Sequence, residues 1–248
     1  MTADVVTDAA ALEPITDRAW PPLERARLGG WRLNASTGFS GRLNTCWPLG
    51  RTGREAEASI DFVEAWLRAR GLPPMFKLAP AAVWPADLAE RLARRGYRSH
   101  TETLLMVGPA KGAAATGVTL SRDWDDDFAA VFTGVAADPG DAMERLAALR
   151  RVPQPRRLAV ARVDARAAAI GACAIEGSWV GIFAMRTLAQ ARRQGLGRSV
   201  LSSLLAAGAE AGAQRAWLQV EAVNAGAIAL YEAAGFMEAY RYAYWTLE

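Results

Sequence analysis

A basic, glycine-containing turn near residues 185–199 combines the residue types that bind phosphate. Gly195 and Gly197 have no Cβ, so the chain can turn tightly and direct the N–H groups of residues 195–199 into one concavity. The alanine- and leucine-rich segment 198–212 is expected to be a helix, and a helix N-terminus attracts phosphate. Three arginines flank the turn and suit a pyrophosphate with a further phosphate: Arg192, Arg193 and Arg198. The sequence therefore predicts a phosphate-binding turn.

The segments after this turn complete a longer pattern. An apolar strand is predicted at 216–220, and it is followed by Asn224-Ala-Gly-Ala-Ile-Ala-Leu-Tyr-Glu-Ala-Ala-Gly-Phe236. The joint pattern Arg192-x-x-Gly195-x-Gly197 and Asn-x-x-Ala-x-x-Leu-Tyr-x-x-x-Gly-Phe resembles the GNAT superfamily of N-acetyltransferases. The resemblance covers about residues 117–248. It implies an α/β protein with a mixed central sheet, the GNAT acyl-CoA N-acyltransferase fold, with acetyl-CoA as co-substrate and no metal.

The resemblance also assigns the parts of the site. Residues 183–187 are expected to diverge from the neighbouring strand and pair with the pantetheine arm, and the N–H of Met185 would stabilise the oxyanion. Tyr231 takes the position of the tyrosine that protonates the leaving thiolate. Asn224 is an N-cap, a cofactor contact or both. The predicted cofactor-binding residues are Met185, Arg186, Thr187, Arg192, Arg193, Gln194, Gly195, Leu196, Gly197, Arg198, Ser199, Asn224 and Tyr231.

The general base is less evident, because the predicted strand 179–187 carries no carboxylate. Glu221, at the end of the next strand, and Glu176, at the preceding turn, are the nearest candidates, and a water chain is a third. The predicted catalytic pair is Tyr231 and Glu221. His100 is the only histidine, and we expect it to face solvent.

The glycine-rich segment 109–116 is predicted to link two units, residues 1–108 and 117–248. The elements predicted after it follow the order of the GNAT fold: strand 118–121, helices near 123–135 and 140–150, hairpin strands 158–163 and 168–175, and strand 179–187. The catalytic domain is therefore expected to be the second unit, 117–248.

The first unit repeats the order of the second. Its predicted helix 55–70, Gly71, strand 75–79, helix 86–95 and Gly96-Tyr97 correspond to the second unit's helix, Gly212, strand, helix and Gly235-Phe236. Residues 28–108 are thus expected to be a degenerate copy. Since its turn, residues 48–54, lacks the arginine and glycine pattern, this copy is expected to bind no cofactor.

Composition excludes several other classes of function. The net charge is only +3, and arginines are scattered among alanines and carboxylates, so we expect no nucleic-acid partner. No apolar run is long enough to span a membrane, and the first residues are acidic, so a cytoplasmic location without a membrane partner is expected. Cys46 and Cys173 lack metal-site spacing and are predicted to be buried apolar residues. The protein is expected to be a monomer or a homodimer.

The sequence leaves the amine acceptor open between a small molecule, such as an amino acid, and a protein amine. The aromatic residues of 239–245 either cradle an amine or pack against a helix or the other unit. Four polar residues of the first unit are candidates for closing the acceptor site, with Arg42 suited to a carboxylate: Asn34, Ser36, Arg42 and Asn44. A non-catalytic coenzyme A-binding regulatory or scaffold protein is the alternative function, although binding alone would not require Tyr231.

Overall fold

The chain forms both helices and strands in the computed structural model, which describes residues 8–134 and 138–247. In chain order they are α1 (Ala9–Ala19), β1 (Glu24–Leu28), β2 (Trp31–Ala35), β3 (Cys46–Pro48), α2 (Ala56–Arg68), β4 (Met75–Leu78), α3 (Leu88–Arg94), β5 (Tyr97–Pro109), β6 (Val118–Ser121), α4 (Asp126–Gly134), α5 (Pro139–Arg151), β7 (Arg156–Val163), β8 (Arg166–Glu176), β9 (Trp179–Thr187), α6 (Leu196–Glu210), β10 (Arg215–Glu221), α7 (Ala225–Glu232) and β11 (Met237–Leu247).

The chain divides into two units. The N-terminal unit consists of residues 8–105, Glu221–Val223 and residues 238–247. The C-terminal unit consists of Met106–Val220 and Asn224–Met237. The division after Leu105 lies inside β5, a few residues before the predicted linker.

The strands of the C-terminal unit lie in the order β10-β9-β8-β7-β6. Neighbours are antiparallel except for β9 and β10, which are parallel and are joined by α6. The predicted hairpin is present, and Asp164 and Ala165 form its turn with φ of 48° and 65°. Helix α6 begins two residues earlier than predicted, directly after Gly195.

The N-terminal unit repeats this arrangement, with its strands in the order β1-β2-β3-β4-β11-β5. Strands β3 and β4 are parallel and are joined by α2, as β9 and β10 are joined by α6. In both units the next helix ends at a glycine with positive φ and an aromatic residue: Gly96 (φ 91°) before Tyr97, and Gly235 (φ 88°) before Phe236. The order predicted from the spacing of the two copies is therefore the order in the structure.

The last strand of the chain lies in the N-terminal unit. Strand β11 pairs antiparallel with β4, from Ala243 opposite Leu78 to Thr246 opposite Met75. The sequence instead predicted that this strand belongs to the catalytic domain, 117–248. The aromatic residues of this strand were expected either to cradle an amine or to pack within the protein. Three of them pack within the protein, because Tyr240, Tyr242 and Tyr244 are buried.

The predicted linker segment is held against α6. The N–H of Ala113 donates to Ser202 Oγ at 2.9 Å, and the N–H of Ala115 donates to Ser203 Oγ at 3.0 Å. A Cβ at Gly112 would lie 3.0 Å from Leu205 Cβ. The small residues of this segment thus allow a close approach to the helix as well as a change of direction.

Helix α1 was not predicted, and it brings two carboxylates into the N-terminal unit. Glu13 and Asp17 lie one turn apart and are both about 1% exposed. Lys77 Nζ donates to both Glu13 oxygens at 2.6 Å, and Asp17 accepts from Arg25 and Arg32 at 3.0 and 2.6 Å. Because these buried positions are charged, the sequence of α1 lacks the apolar periodicity that predicts a packed amphipathic helix.

Candidate functional site

A β-bulge interrupts β9 near its end. Two residues of β9, Ala184 and Met185, face the single residue Gly171 of β8, and Ala184 has φ of 57°. A Cβ at position 171 would lie 2.5 Å from Met185 Sδ and 2.7 Å from Val200 Cγ1. Gly171 therefore leaves room for the Met185 side chain, and the bulge changes the direction of the residues after it.

Strands β9 and β10 diverge beyond this pairing. Their ladder runs from Arg215 opposite Trp179 to Leu218 opposite Ile182, whereas β9 continues to Thr187. Among the described residues, 183–187 thus have no ladder partner on the β10 side. Backbone N–H and C=O groups on that edge can pair with an extended ligand, as the sequence predicted for this segment.

The predicted phosphate turn has the geometry of an anion site. Gly195 has φ of 79° and immediately precedes α6, and Arg193 also has positive φ, at 64°. The N–H of Ser199 makes the first helical bond, to Gly195 O at 3.0 Å, so the N–H groups of 196–198 precede the helical ladder. A Cβ at Gly195 would meet no atom within 4 Å, while one at Gly197 would lie 3.4 Å from Leu230 Cδ2.

Exposure agrees with that chemistry. Residues 192–195 and Arg198 are exposed, so the arginine charges border the open side of the turn. Gly195 adopts its left-handed backbone without the cost that a Cβ would add, and a Cβ at Gly197 would make ordinary contact with Leu230 of α7. The turn can therefore hold an anion with backbone N–H groups and surrounding cations.

Tyr231 lies on α7 and is buried, with its ring centroid 6.1 Å from that of Phe236. Burial raises the pKa of Tyr231 to about 12, and the positive charge of Arg186 acts in the opposite direction. The hydroxyl is thus protonated at neutral pH and can donate a proton. Asn224 caps the same helix, since its Oδ1 accepts from the N–H of Ala227 at 3.2 Å.

Arg186 follows the bulge and is half-buried. Its Nη1 donates to the Met185 carbonyl at 3.0 Å, and its Cζ lies 5.4 Å from the ring centroid of Phe132 on α4. Phe132 was not among the predicted site residues. The motif offered no signal for it, because Phe132 lies more than fifty residues before the motif and only the fold brings α4 to this strand.

The candidate bases lie apart. Glu176 pairs with Trp179 at the far end of β9, eight residues from Thr187, which is roughly 26 Å along a strand. Glu221 is exposed at the last position of β10 and is grouped with the N-terminal unit. His100 is exposed, as predicted, and its Nδ1 is 2.9 Å from Thr101 Oγ1.

The corresponding turn in the N-terminal unit is closed by side chains. Gly53 has φ of 78°, and Thr52 Oγ1 accepts from the N–H of Arg54 at 3.2 Å and lies 2.8 Å from Ser59 Oγ. Glu55 is the N-cap residue of α2, and Glu57 lies in the first turn. Glu55 makes no side-chain capping bond, and Glu57 pairs with Arg91 of α3 and with Arg95, the C-cap residue of α3. It is therefore the Thr52 hydroxyl that bonds the backbone at this turn.

Three of the four polar residues proposed to close the acceptor site hold the N-terminal unit together. Asn34 donates to Asp17 Oδ1 at 3.0 Å. Asn44 Oδ1 accepts from the N–H of Ser36 at 2.7 Å, and Ser36 Oγ accepts from the N–H of Leu23 at 3.0 Å. Arg42 is half-buried, with its Cζ 5.6 Å from the Trp20 ring centroid.

Among residues 8–134 and 138–247, the structure places no cluster of three or more metal-ligating side chains. Within the same residues, no helix combines the length and apolar character that a membrane span needs. Cys46 and Cys173 are buried free thiols, as the sequence predicted. Burial raises the pKa of both, so neither is a reactive thiolate.

Two solved structures with this fold carry acetyltransferase names. A GCN5-related N-acetyltransferase from Kribbella flavida superimposes with a TM-score of 0.69 at 17% identity, covering 98% of this chain and 96% of that one. A tandem GNAT protein from the clavulanic acid biosynthesis pathway gives 0.63 at 16% identity, covering 100% and 90%. The fold is thus the GNAT N-acetyltransferase fold, which confirms the predicted fold class.

Sequence comparison identifies the family. The profile described as "Probable histone acetyltransferase Rv0428c C-terminal" matches residues 6–245, and the chain belongs to that family. The probable histone acetyltransferase Rv0428c of Mycobacterium tuberculosis is 28% identical over 237 residues, covering 87% of this chain and 69% of that protein. The uncharacterized N-acetyltransferase YobR of Bacillus subtilis is 24% identical over 237 residues, covering 92% and 94%. The protein is therefore an acetyltransferase of the GNAT type, as predicted.

Proposed function

We propose that the C-terminal unit transfers an acetyl group from acetyl-CoA to a primary amine by direct attack in a ternary complex. The observation that carries this proposal is the sequence of features along β9 and α6. A bulged strand diverges from its neighbour and leads directly into a left-handed glycine turn whose N–H groups precede the helical ladder. The free strand edge would pair with the amides of a thioester arm, and the turn would bind a pyrophosphate.

The residues present fit acetyl-CoA. The pyrophosphate would bind the N–H groups at the start of α6, with charge from Arg192, Arg193 and Arg198. Open space beside Gly195 leaves room for the phosphates. The pantetheine amides would pair with residues 183–187 as an added strand.

The chemistry then needs an oxyanion donor and a proton donor. The N–H of Met185, at the bulge, would stabilise the negative charge that develops on the thioester oxygen. Tyr231 would donate its phenolic proton to the departing sulfur, and its raised pKa keeps that proton in place before the reaction. Glu221 or a water chain would accept the proton of the amine.

We further propose that only one unit binds the cofactor. At the N-terminal counterpart of the turn, the acidic residue Glu55 is the N-cap residue of α2, and the hydroxyl of Thr52 already bonds the backbone. The position of this unit that corresponds to Tyr231, counting back from Gly96, is the fully buried Leu92, which has no proton to donate. The N-terminal unit would therefore serve the fold.

A thiol-release assay tests the proposal. Acetyl-CoA is incubated with the protein and pools of amino acids, small amines or peptides, and free thiol and acetylated product are followed together. Thiol release that depends on a free amine and yields an N-acetyl product is expected. Tight acetyl-CoA binding without thiol release in every pool would favour the non-catalytic alternative, and no binding at all would refute the assignment of the turn.

A further inference from the structure

One face of the sheet is closed where β9 and β10 diverge. A Cβ at Gly208 of α6 would lie 2.9 Å from Val180, so Val180 faces this helix. Gly171 faces the helix as well, because a Cβ there would lie 2.7 Å from Val200 Cγ1. Helix α6 therefore covers this face, and its Val200 and Leu204 are fully buried. An acceptor amine can reach a thioester between the two strands only from the opposite face.

Gln219 lies on that opposite face. A Cβ at Gly181, the neighbour of Val180, would overlap the ring of Trp217, so Trp217 points away from α6. Gln219 follows two residues later on the same face. It is half-buried and comes directly after Leu218, the last residue of β10 that pairs with β9. Its amide is therefore the first polar side chain beyond the ladder, beside the opening between the strands.

A positive charge lies on the same face, on the β9 side of the opening. Arg186 pairs with Ile170, the neighbour of Gly171 in β8, so it also lies away from α6. Its Nη1 donates to the carbonyl of Met185 at 3.0 Å. This bond keeps the guanidinium beside the residue proposed to bind the thioester oxygen, so an ammonium group arriving there would meet a like charge.

The strand residues around the opening include no carboxylate. Residues 182–187 of β9 and 218–220 of β10, all of which the structure describes, contain neither aspartate nor glutamate. Glu221 is the next residue on the face of Gln219, about 7 Å further along the strand, and it is exposed. A carboxylate in contact with an amine favours the ammonium form, whereas an amide beside an arginine favours the neutral form.

We propose that Gln219 accepts a hydrogen bond from the acceptor amine, and that the site thereby selects α-amino groups over alkyl amines such as the lysine side chain. This inference rests on the proposed acetyl transfer and names its substrate class. At pH 7.5, about a third of an α-amino group with a pKa of about 7.8 is neutral, against about 0.1% of a lysine ε-amino group with a pKa of about 10.4.

The transfer then proceeds from the face away from α6. The neutral nitrogen forms a bond to the acetyl carbon, and the carbon–sulfur bond breaks with its electron pair going to sulfur. The sulfur takes the proton of Tyr231, while one proton of the amine passes to Glu221 or to water. Solvent restores the proton of Tyr231. Gln219 orients the attacking nitrogen and carries no proton itself.

Two isomers of one compound test the selection. Nε-acetyl-lysinamide offers only an α-amino group, and Nα-acetyl-lysinamide offers only an ε-amino group. From the neutral fractions, kcat/KM should favour the free α-amino isomer about 250-fold at pH 7.5 and about tenfold at pH 9.5, as followed by thiol release. Titration of the enzyme's own groups affects both isomers equally, so it cancels in this ratio.

Variants of Gln219 test the hydrogen bond. Gln219→Met removes the acceptor at similar length and should raise the KM for the α-amino isomer about tenfold. Gln219→Glu attracts the ammonium form and should lower the KM for the ε-amino isomer about tenfold. Gln214→Glu is the control, because Gln214 is an exposed glutamine directly before the other end of β10, and it should leave both KM values unchanged. A purely structural role would not move the two KM values in opposite directions.

Several results would overturn the inference. One is an equal kcat/KM for the two isomers at pH 7.5, and another is a lack of turnover of the α-amino isomer. The others are an unchanged KM in Gln219→Met and a Gln219→Glu protein that behaves like Gln214→Glu. The isomer ratio needs no variant, so it decides even where a substitution disturbs folding. Absence of thiol release with every pool of amines would instead refute the proposed function, and the inference with it.

Discussion

The glycine turn offers the sharpest test of the cofactor site, through the three variants Gly195→Ala, Gly195→Gln and Gly195→Glu. All three place a Cβ on a residue with φ of 79°, which costs about 1–2 kcal/mol of stability. None creates a clash, because a Cβ at this position meets no atom within 4 Å. The variants should therefore share one loss of stability and differ in what their side chains present to a bound phosphate.

The difference between glutamine and glutamate isolates the charge. A carboxylate about 6 Å from one phosphate charge is repelled by about 0.7 kcal/mol in water and by about 3 kcal/mol at a protein surface of effective dielectric 20. The turn is exposed, so we expect Gly195→Glu to bind acetyl-CoA about 10- to 100-fold more weakly than Gly195→Gln.

Calorimetric titration with acetyl-CoA at two salt concentrations measures the difference in affinity between Gly195→Glu and Gly195→Gln. Thermal unfolding checks that the variants share one loss of stability. The difference in affinity should become smaller at high salt, because salt screens charges at the protein surface. Equal affinities of the glutamine and glutamate variants would refute the electrostatic reasoning. Parent-like affinity in both would show that the phosphates bind elsewhere.

Three further variants test the site and the fold. Tyr231→Phe should lower kcat about 100-fold or more at unchanged acetyl-CoA affinity, measured by thiol release and calorimetry. Gly171→Ala should lower the unfolding free energy by about 1–3 kcal/mol in chemical denaturation, because its Cβ would overlap Met185 Sδ. Lys77→Met should cost about 3–5 kcal/mol by leaving Glu13 buried without its cation, and adding Glu13→Gln should restore much of that loss.

Lys77 also predicts a pH dependence. Burial lowers the pKa of Lys77 to about 8, whereas in the unfolded chain it titrates near 10.5. Between these values the unfolded state binds more protons, so this group makes the unfolding free energy rise with pH. The unfolding free energy of the parent should therefore rise by up to about 3 kcal/mol between pH 8 and 10.5, and that of Lys77→Met should lack this rise.

Each of these predictions has a contrary result. A Tyr231→Phe enzyme with parental kcat would exclude the phenol from catalysis. A Gly171→Ala protein as stable as the parent would mean that Met185 can leave the bulge without cost. A difference between parent and Lys77→Met that is independent of pH from 8 to 10 would show that Lys77 keeps its proton throughout that range.

Local chemistry explains why so much of the C-terminal unit was predictable. Residues 179–187 and 118–121 form strands with the predicted bounds, because short apolar runs between turn residues have few alternatives. The glycine turn before α6 was equally clear, since Gly195 has a positive φ that favours glycine. The repeat in residues 28–108 followed from spacing alone, because Gly71 and Gly96 end the helices of the first unit as Gly212 and Gly235 end those of the second.

Helix α1 escaped prediction for the opposite reason. Its buried face holds Glu13 and Asp17, and such charges become compatible with burial only when Lys77 of β4 and Arg25 and Arg32 of β1 and β2 pack against the helix. The bulge of β9 was not predicted either, because no residue type in Phe183-Ala-Met-Arg186 indicates an extra residue in the strand pairing. It becomes visible only when Gly171 of β8 is placed opposite two residues.

The sequence by itself determined the family, the order of elements in residues 28–108 and the position of the glycine turn before α6, because each depends on residue types at short spacing along the chain. Tertiary structure alone decided that β11 joins the N-terminal unit, that Arg186 faces Phe132, and that Glu176 lies far from the bulge. Each of these depends on strand register and on which unit a strand joins. Such choices follow from the packing of residues far apart in the chain, which no local pattern encodes.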